Sequence, residues 1–125
     1  MSGLTFDAGG LIALDRKDRR VLRLLARAKE LGVRITIPTT ALAQAIRNPA
    51  RQALLSRLIR QAGTDLVALD GPEATAVGLL LARTGTTDIV DAHVVLCARR
   101  AGQSVITSDA GDLRRIAPGL ELIVV

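Results

Sequence analysis

The sequence has almost no aromatic residues: Phe6 is the one phenylalanine, and the 125 residues include no tryptophan or tyrosine. A core must therefore be built from leucine, isoleucine, valine and alanine. Apolar residues still make up 49% of the chain, which excludes a disordered segment, because such segments cannot bury enough apolar surface to fold. The lack of aromatic rings also argues against nucleic-acid recognition by base stacking.

Cysteine and histidine occur once each, at Cys97 and His93. No disulfide can form within the chain, which fits a reducing compartment. Cys97 lies in an apolar stretch, where a lone cysteine is usually a small buried hydrophobic residue. The two residues are four apart on one predicted helix, but two ligands do not make a zinc site. The sequence therefore supports a zinc site only weakly.

The chain also lacks an apolar run of the roughly 18 residues that a membrane span needs. Its first seven residues lack the basic region followed by an apolar one that marks a signal peptide. We therefore expect a cytoplasmic protein with no membrane association.

Basic residues outnumber acidic ones, 17 to 12, for a net charge of +5 and a pI of about 10.9. Lys17 and Lys29 are the only lysines, so arginine supplies the other basic groups. Arginine suits phosphate and carboxylate partners, and a basic surface favours nucleic acid or an acidic protein. Solubility and codon bias explain the same composition equally well, so charge alone does not decide.

Short apolar runs alternate with segments of helical periodicity. Asp18 is predicted to cap a helix that ends at Gly32, and Thr39 or Thr40 one that runs to Arg47. Alternating strands and helices imply parallel strand pairing with right-handed crossovers. We therefore predict one three-layer α/β/α domain over residues 1–125, with a short parallel central sheet. Its strands are expected at residues 4–6, 33–37, 66–69, 105–106 and 120–124.

Three aspartates fall where such folds carry their functional groups, beyond the carboxyl ends of strands. Asp7 ends the first strand, Asp109 follows the fourth, and Asp91 lies in the first turn of the helix before the fourth. If the first and fourth strands are neighbours, the three converge. Carboxylates brought together repel one another unless a cation lies between them, and oxygen ligands suit Mg²⁺ or Mn²⁺. Such an ion activates water and stabilises charge on a phosphodiester.

Each of these acids also has a simpler explanation. Asp88 or Asp91 can cap its helix, and Asp109 and Asp112 can cap the next one, because helix N-termini favour negative charge. Asp7, between Phe6 and a glycine-rich turn, has no evident need to cap a helix. The residues alone leave the metal site and the separate caps equally open.

Three segments, in this order, resemble the acidic motifs of PIN domains. They are Leu4–Leu14 around Asp7, Asp88–Val94 around Asp91, and Val105–Asp109. Each motif alone is unspecific, but the order, spacing and intervening elements match over essentially the whole chain. The arginine-rich composition resembles the VapC toxins of actinobacterial toxin–antitoxin pairs.

The resemblance implies an Mg²⁺- or Mn²⁺-dependent ribonuclease that is cytoplasmic, usually dimeric, and held inactive by a small antitoxin. By motif, Asp7 and Asp91 would be the principal metal ligands, and Asp109 would complete the catalytic cluster. Asp88 and Asp112 would lie at its margin. Thr107 is expected to hydrogen-bond Asp109 or a phosphate, unless it only forms the turn.

One position departs from the PIN pattern. A glutamate usually lies on the helix after the second strand, but Gln44 stands there in this sequence. An amide brings an oxygen but no charge, so metal binding should weaken, unless Asp88 or Asp112 compensates or Gln44 is only a surface residue. Arg47, farther along, is a candidate contact for RNA or antitoxin, with a free surface arginine equally open.

Two functions therefore remain open: a metal-dependent ribonuclease toxin, and a catalytically weak or inactive PIN-like module that binds RNA or protein. A phosphoacceptor receiver domain is excluded because Asp7 has no acidic neighbour and no lysine follows Lys29. A phosphatase of the haloacid dehalogenase type is excluded because Gly9 stands where its second aspartate is needed.

Overall fold

The computed structural model describes residues 1–125, with five strands and seven α-helices. The strands are β1 (Gly3–Phe6), β2 (Arg34–Pro38), β3 (Thr64–Val67), β4 (Ser104–Thr107) and β5 (Leu122–Val124). The helices are α1 (Ala8–Asp15), α2 (Arg19–Leu31), α3 (Thr39–Ala45), α4 (Ala53–Ile59), α5 (Gly71–Thr84), α6 (Ile89–Ala101) and α7 (Gly111–Ile116). None of the helices combines the length and the apolar character that a membrane-spanning segment needs.

The strands form one parallel sheet in the order β3-β2-β1-β4-β5. The chain moves outward from β1 through β2 to β3, and then returns to β4 on the other side of β1. Phe6 of β1 is aligned with Ile106 of β4. Strand order therefore reverses between β1 and β4, which is where open parallel sheets form their ligand clefts.

Helices cover both faces of the sheet, so the predicted three layers are confirmed. Leu4, Phe6 and Ile106 pack against α1, α2 and α4 on one face. On the other face, Val105 packs against α5, α6 and α7. Neighbouring residues of β4 thus belong to opposite cores, as the two-residue repeat of a strand requires. Because helices bury both faces of the sheet, the residues at the carboxyl ends of the strands are attached to a fully packed framework.

Several local predictions are confirmed and others are wrong. Asp18 caps α2 by accepting hydrogen bonds from the amides of Arg20 and Val21, and Gly32 ends it in the left-handed conformation. No side chain caps α3, which follows Pro38 directly and ends at Ala45, so Arg47 lies outside it. Pro38 precedes α3 and has no side-chain oxygen that could cap it, and the Thr40 hydroxyl contacts His93 instead.

The third strand begins two residues earlier than expected. Its position follows its pairing with β2, in which Ile35 is aligned with Thr64 and Thr36 with Asp65. As an edge strand it is poorly covered, and Leu66 keeps 45% of its surface exposed. The apolar residues of the segment therefore predict the bounds of this edge strand incorrectly.

Candidate active site

Asp7 lies at the carboxyl end of β1 and is buried, with 8% of its surface exposed. Its amide donates to the Ile106 carbonyl at 3.2 Å, which continues the pairing with β4. Its carboxylate Oδ1 accepts a hydrogen bond of 2.7 Å from the Gly10 amide and caps α1. The expectation that Asp7 has no capping role is therefore wrong, because α1 begins at once after β1.

Two glycines let the first turn of α1 rest against β4. A Cβ atom on Gly10 would lie 2.5 Å from the Ile106 carbonyl oxygen, and one on Gly9 would collide with the Ser108 side chain. Only residues without a Cβ allow this approach. The contact brings the Asp7 end of β1 against the loop of Ser108 and Asp109 that follows β4.

Asp88 and Asp91 stand at the start of α6 and play different roles. Asp88 is the helix cap, because its Oδ1 accepts a hydrogen bond of 2.9 Å from the Asp91 amide. The carboxylate of Asp91 accepts no hydrogen bond from the protein. Of the two, Asp91 is therefore the one whose oxygens are free to meet a ligand.

Asp109 is held by the loop between β4 and α7. The Thr107 hydroxyl donates to the Asp109 carbonyl at 3.0 Å and accepts from the Asp109 amide at 3.1 Å. Asp109 Oδ1 accepts a hydrogen bond of 3.1 Å from the Gly111 amide. The Thr107 hydroxyl thus contacts Asp109, one of the two partners expected for it, at the backbone of Asp109 and not at its carboxylate.

A cleft of about 110 Å³ brings the acids of the three sequence motifs together. It is lined by Asp7, Asp91, Asp109, Asp112 and Gln44, with Ala8, Gly9, Val90 and Ser108 between them. The exposed Gln44 lies where the motif comparison expects an acid. Thr107 and Arg47 do not line this cleft.

A second cleft, of about 330 Å³, shares Asp91 and Asp112 with the first. Its other lining residues include Asp88, Thr86, Thr87 and Arg115. No motif in the sequence marks Arg115 or the Gly85–Thr87 loop as part of a site. A signal for Arg115 was available, since it follows Asp112 by three residues and therefore lies on the same side of α7.

Burial and neighbouring carboxylates raise the pKa values of two aspartates in the cleft, Asp7 and Asp91. Burial raises the pKa of Asp7, and the charge of Asp109 adds to this rise. Hydrogen bonding by the Thr107 side chain and by the Gly10 and Gly9 amides opposes it. Burial, followed by the charges of Asp88, Asp112, Asp7 and Asp109, raises the pKa of Asp91 to about 6. These aspartates lie together on a protein of net charge +5. A cation in the cleft would relieve this repulsion.

The chemistry of the cleft fits a hard divalent cation, because every candidate ligand is an oxygen. No three of these carboxylates have oxygen atoms all within 4.8 Å of one another; among histidine, cysteine and acidic residues, one trio does, Glu73, His93 and Cys97. Binding an ion in the cleft therefore requires the acids to turn inward. Asp91 and Asp112 accept no hydrogen bonds that would oppose this rotation.

The chain is similar to known proteins in sequence family and in fold. Residues 6–118 match the family model of the PIN domain. The chain belongs to the PIN domain family. Among solved structures, this PIN domain is similar to a chain of VapBC2 from Rickettsia felis, crystallised with a DNA fragment from their promoter. The TM-score is 0.67 at 14% identity, over 98% of each chain, which shows the shared fold. Curated protein sequences give no match.

Proposed function

We propose that this PIN domain is a metal-dependent endoribonuclease that hydrolyses RNA phosphodiesters and acts as the toxin of a VapBC-type pair. The observation that carries the proposal is the cleft itself. Aspartates from three separate motifs line one small cavity at the reversal of strand order. Helix capping accounts for the hydrogen bonds of Asp7 and Asp88, and the turn before α7 for that of Asp109, but neither accounts for the convergence of Asp7 and Asp109 with Asp91 and Asp112.

The metal ion we propose is Mg²⁺ or Mn²⁺. Asp7 and Asp91 would hold it, with Asp109 as a third ligand, directly or through water, and Asp112 and Gln44 at the margin. When bound, such an ion supplies an activated water and stabilises the charge that develops on the phosphodiester. The protein's own part is to fix Asp7 through the Gly10 amide and Asp109 through Thr107 and Gly111.

RNA would lie across the second cleft, beside the acids. Its Thr86 and Thr87 side chains can donate hydrogen bonds, and Arg115 can pair with a phosphate. Contacts of this kind follow the backbone rather than the bases, in line with the scarcity of aromatic residues. Arg47 stays a second candidate, for RNA or for antitoxin.

The antitoxin part of the proposal draws on the similarity to VapBC2 and on one surface feature. Leu42, Ile46, Leu55 and Ile59 line a mainly apolar groove between α3 and α4, of about 160 Å³. Arg47 and Arg51 are exposed in the segment between those helices, so the groove suits an apolar segment with acidic neighbours. We also propose that the protein forms a homodimer and is cytoplasmic.

One observation favours the alternative of a weak or inactive RNA- or protein-binding module. Gln44 lines the cleft, so its missing charge falls where a metal would bind. The two functions differ in one measurable property, which is metal-dependent cleavage.

The deciding experiment compares cleavage of total RNA by wild type and Asp7→Asn, in Mn²⁺, Mg²⁺ or EDTA. Asparagine caps a helix as well as aspartate does, so the substitution keeps the Gly10 contact and removes the charge. We expect metal-dependent cleavage by the wild type and a loss of at least about 100-fold in the variant.

Asp18→Asn is the matched control, because Asp18 caps α2 in the same way but lies outside the acidic cleft. It should cleave like the wild type. Cleavage that persists in EDTA or in Asp7→Asn contradicts the proposed chemistry. A folded wild type that binds RNA but cuts none with any metal supports the binding module.

A further inference from the structure

A second group of metal-ligating side chains lies buried between α5 and α6. Glu73 of α5 and His93 and Cys97 of α6 each offer one ligand atom, and the three atoms lie within 4.8 Å of one another. Their exposed fractions are 7%, 0% and 3%. The sequence offered two ligands, and the packing of α5 on α6 adds the third.

Two of these ligand atoms have no hydrogen-bond partner. Glu73 Oε1 and His93 Nε2 are both buried and both unpaired. They face each other at 3.7 Å, too far apart for a hydrogen bond. Buried polar atoms without partners are rare and need an explanation.

We propose that Glu73, His93 and Cys97 form a zinc site that joins α5 to α6. Zinc takes this mixture of oxygen, nitrogen and sulfur, with bonds of about 2.0–2.3 Å that put neighbouring ligand atoms roughly 3.3–3.6 Å apart in a tetrahedron. The distance between Glu73 Oε1 and His93 Nε2 is close to that edge. A water molecule would complete the four ligands.

The surrounding side chains already hold two of the ligands in place. Arg100 contacts Glu73 Oε2 and leaves Oε1 free. Thr40 Oγ1 lies 2.7 Å from His93 Nδ1, so a proton on Nδ1 can be donated to Thr40 while Nε2 keeps its lone pair. Such outer hydrogen bonds commonly fix a histidine that binds a metal. Arg100 is 54% exposed, so the cluster lies one side chain below the surface.

Binding must remove the proton of the Cys97 thiol. Burial and the charge of Glu73 raise the pKa of Cys97 to about 12 without a cation. Zinc binding breaks the S–H bond, forms the S–Zn bond and releases one proton to water. The Zn²⁺ ion then meets one thiolate and one carboxylate, and with Arg100 still paired to Glu73 the group carries a net charge of +1.

This site is separate from the acidic cleft. His93 follows Asp91 by two residues, which puts the two side chains about 200° apart around α6. Neither Glu73, His93 nor Cys97 lines either cleft. The zinc inference therefore stands or fails independently of the proposed ribonuclease activity.

The test is titration of tag-free, chelator-treated protein with Co²⁺, followed by absorbance. We expect a thiolate-to-cobalt charge-transfer band that saturates at one equivalent and disappears when Zn²⁺ displaces Co²⁺. The chain has one cysteine, so the band in the wild type itself identifies Cys97. Asp7→Asn should keep the band, and Cys97→Ser should lose it.

Thermal unfolding supplies a second measurement. Zinc at about 100 times its dissociation constant should raise the Tm of the wild type by about 10 °C, and that of Cys97→Ser by much less. No thiolate band in the wild type overturns the site, whether or not the variant folds. An equal zinc shift in wild type and Cys97→Ser also overturns it, because the ion then binds elsewhere.

Discussion

Asp91 is partly buried among four other carboxylates, and its charge costs the metal-free protein stability. The rise of its pKa from 3.8 to about 6 corresponds to at most about 3 kcal/mol, which partial exposure to water reduces to about 1–2 kcal/mol. Asp91→Asn removes that repulsion, although it also loses a favourable charge at a helix N-terminus. In EDTA at pH 7.5, we expect the variant to be about 1 kcal/mol more stable to urea than the wild type.

The pH dependence gives the sign of this effect. Since the pKa of Asp91 is raised in the folded state, its penalty is full above pH 6, declines as the pH falls through 6, and vanishes near 3.8. His93, whose pKa is lowered by burial, acts in the opposite direction in both proteins and cancels in the difference. A variant that is less stable than the wild type at pH 7.5 contradicts the repulsion.

At Gln44, replacing the amide group by a carboxylate would add one negative charge to the cleft without changing the size of the side chain. Gln44→Glu adds a carboxylate beside Asp7 and Asp91, so Mg²⁺ should bind about tenfold more tightly and RNA cleavage at limiting Mg²⁺ should rise. Calorimetric titration with Mg²⁺ measures the first effect. Gln61→Glu, an exposed charge-matched change outside the cleft, should leave both unchanged. Equal gains in the two variants would mean that net charge, not position, is responsible.

At the scale of elements, the junction of β1, α1 and β4 sets the position of Asp7. Gly10→Ala puts a methyl group against the backbone of Ile106, whose carbonyl cannot move without breaking the sheet. We expect a loss of about 1–3 kcal/mol despite the better helix propensity of alanine, and weaker Mg²⁺ binding as Asp7 shifts. Urea unfolding and metal titration measure the two effects.

Gly78→Ala is the control for this prediction. Gly78 is exposed within α5, and a Cβ atom there meets nothing within 4 Å. The change should stabilise the protein by up to about 1 kcal/mol. Destabilisation of the same size at both glycines would show that close packing on β4 is not the cause.

The elements also show which signals the sequence carries. The α/β class and the helices capped by Asp18 and Asp88 follow from local chemistry, and the structure has them at those positions. The bounds of β3 did not follow, because pairing with β2 decides them. The sequence does not predict that β1 and β4 are neighbours, because no local signal specifies the order of strands in a sheet. The convergence of Asp7, Asp91 and Asp109 nevertheless depends on this adjacency.

For the molecule as a whole, contacts between distant parts of the chain are the least predictable. Glu73 is twenty residues before His93. It shares the buried face of α5 with Val77 and Leu80, four and seven residues later, but no local signal in the sequence shows that this face packs against α6. Gln44 was expected at the margin of the site, because a family motif marks that position, whereas Arg115 has no such motif. Extension over residues 1–125 as one domain, dimerisation and the antitoxin stay predictions.

The charge distribution of the whole molecule leads to the last prediction. Under the proposed function, a basic surface would attract RNA at long range while the acidic cleft repels its phosphates, so a cation near the boundary would guide the strand. Arg115 lies at that boundary, beside Asp91 and Asp112. Arg115→Gln should raise KM about three- to tenfold with little change in kcat, and lower the slope of log KM against log salt by about 0.7.

Arg114→Gln removes the same charge from the neighbouring position of α7, outside both clefts. Measured over a range of salt concentrations, it should change KM by less than about twofold, since diffuse attraction is shared among many arginines. If KM rises equally in the two variants, RNA is bound by the overall charge of the protein, and it does not lie in the second cleft. A rise in KM confined to Arg115→Gln means that one phosphate of the RNA is bound beside Asp91, next to the carboxylates proposed to hold the ion.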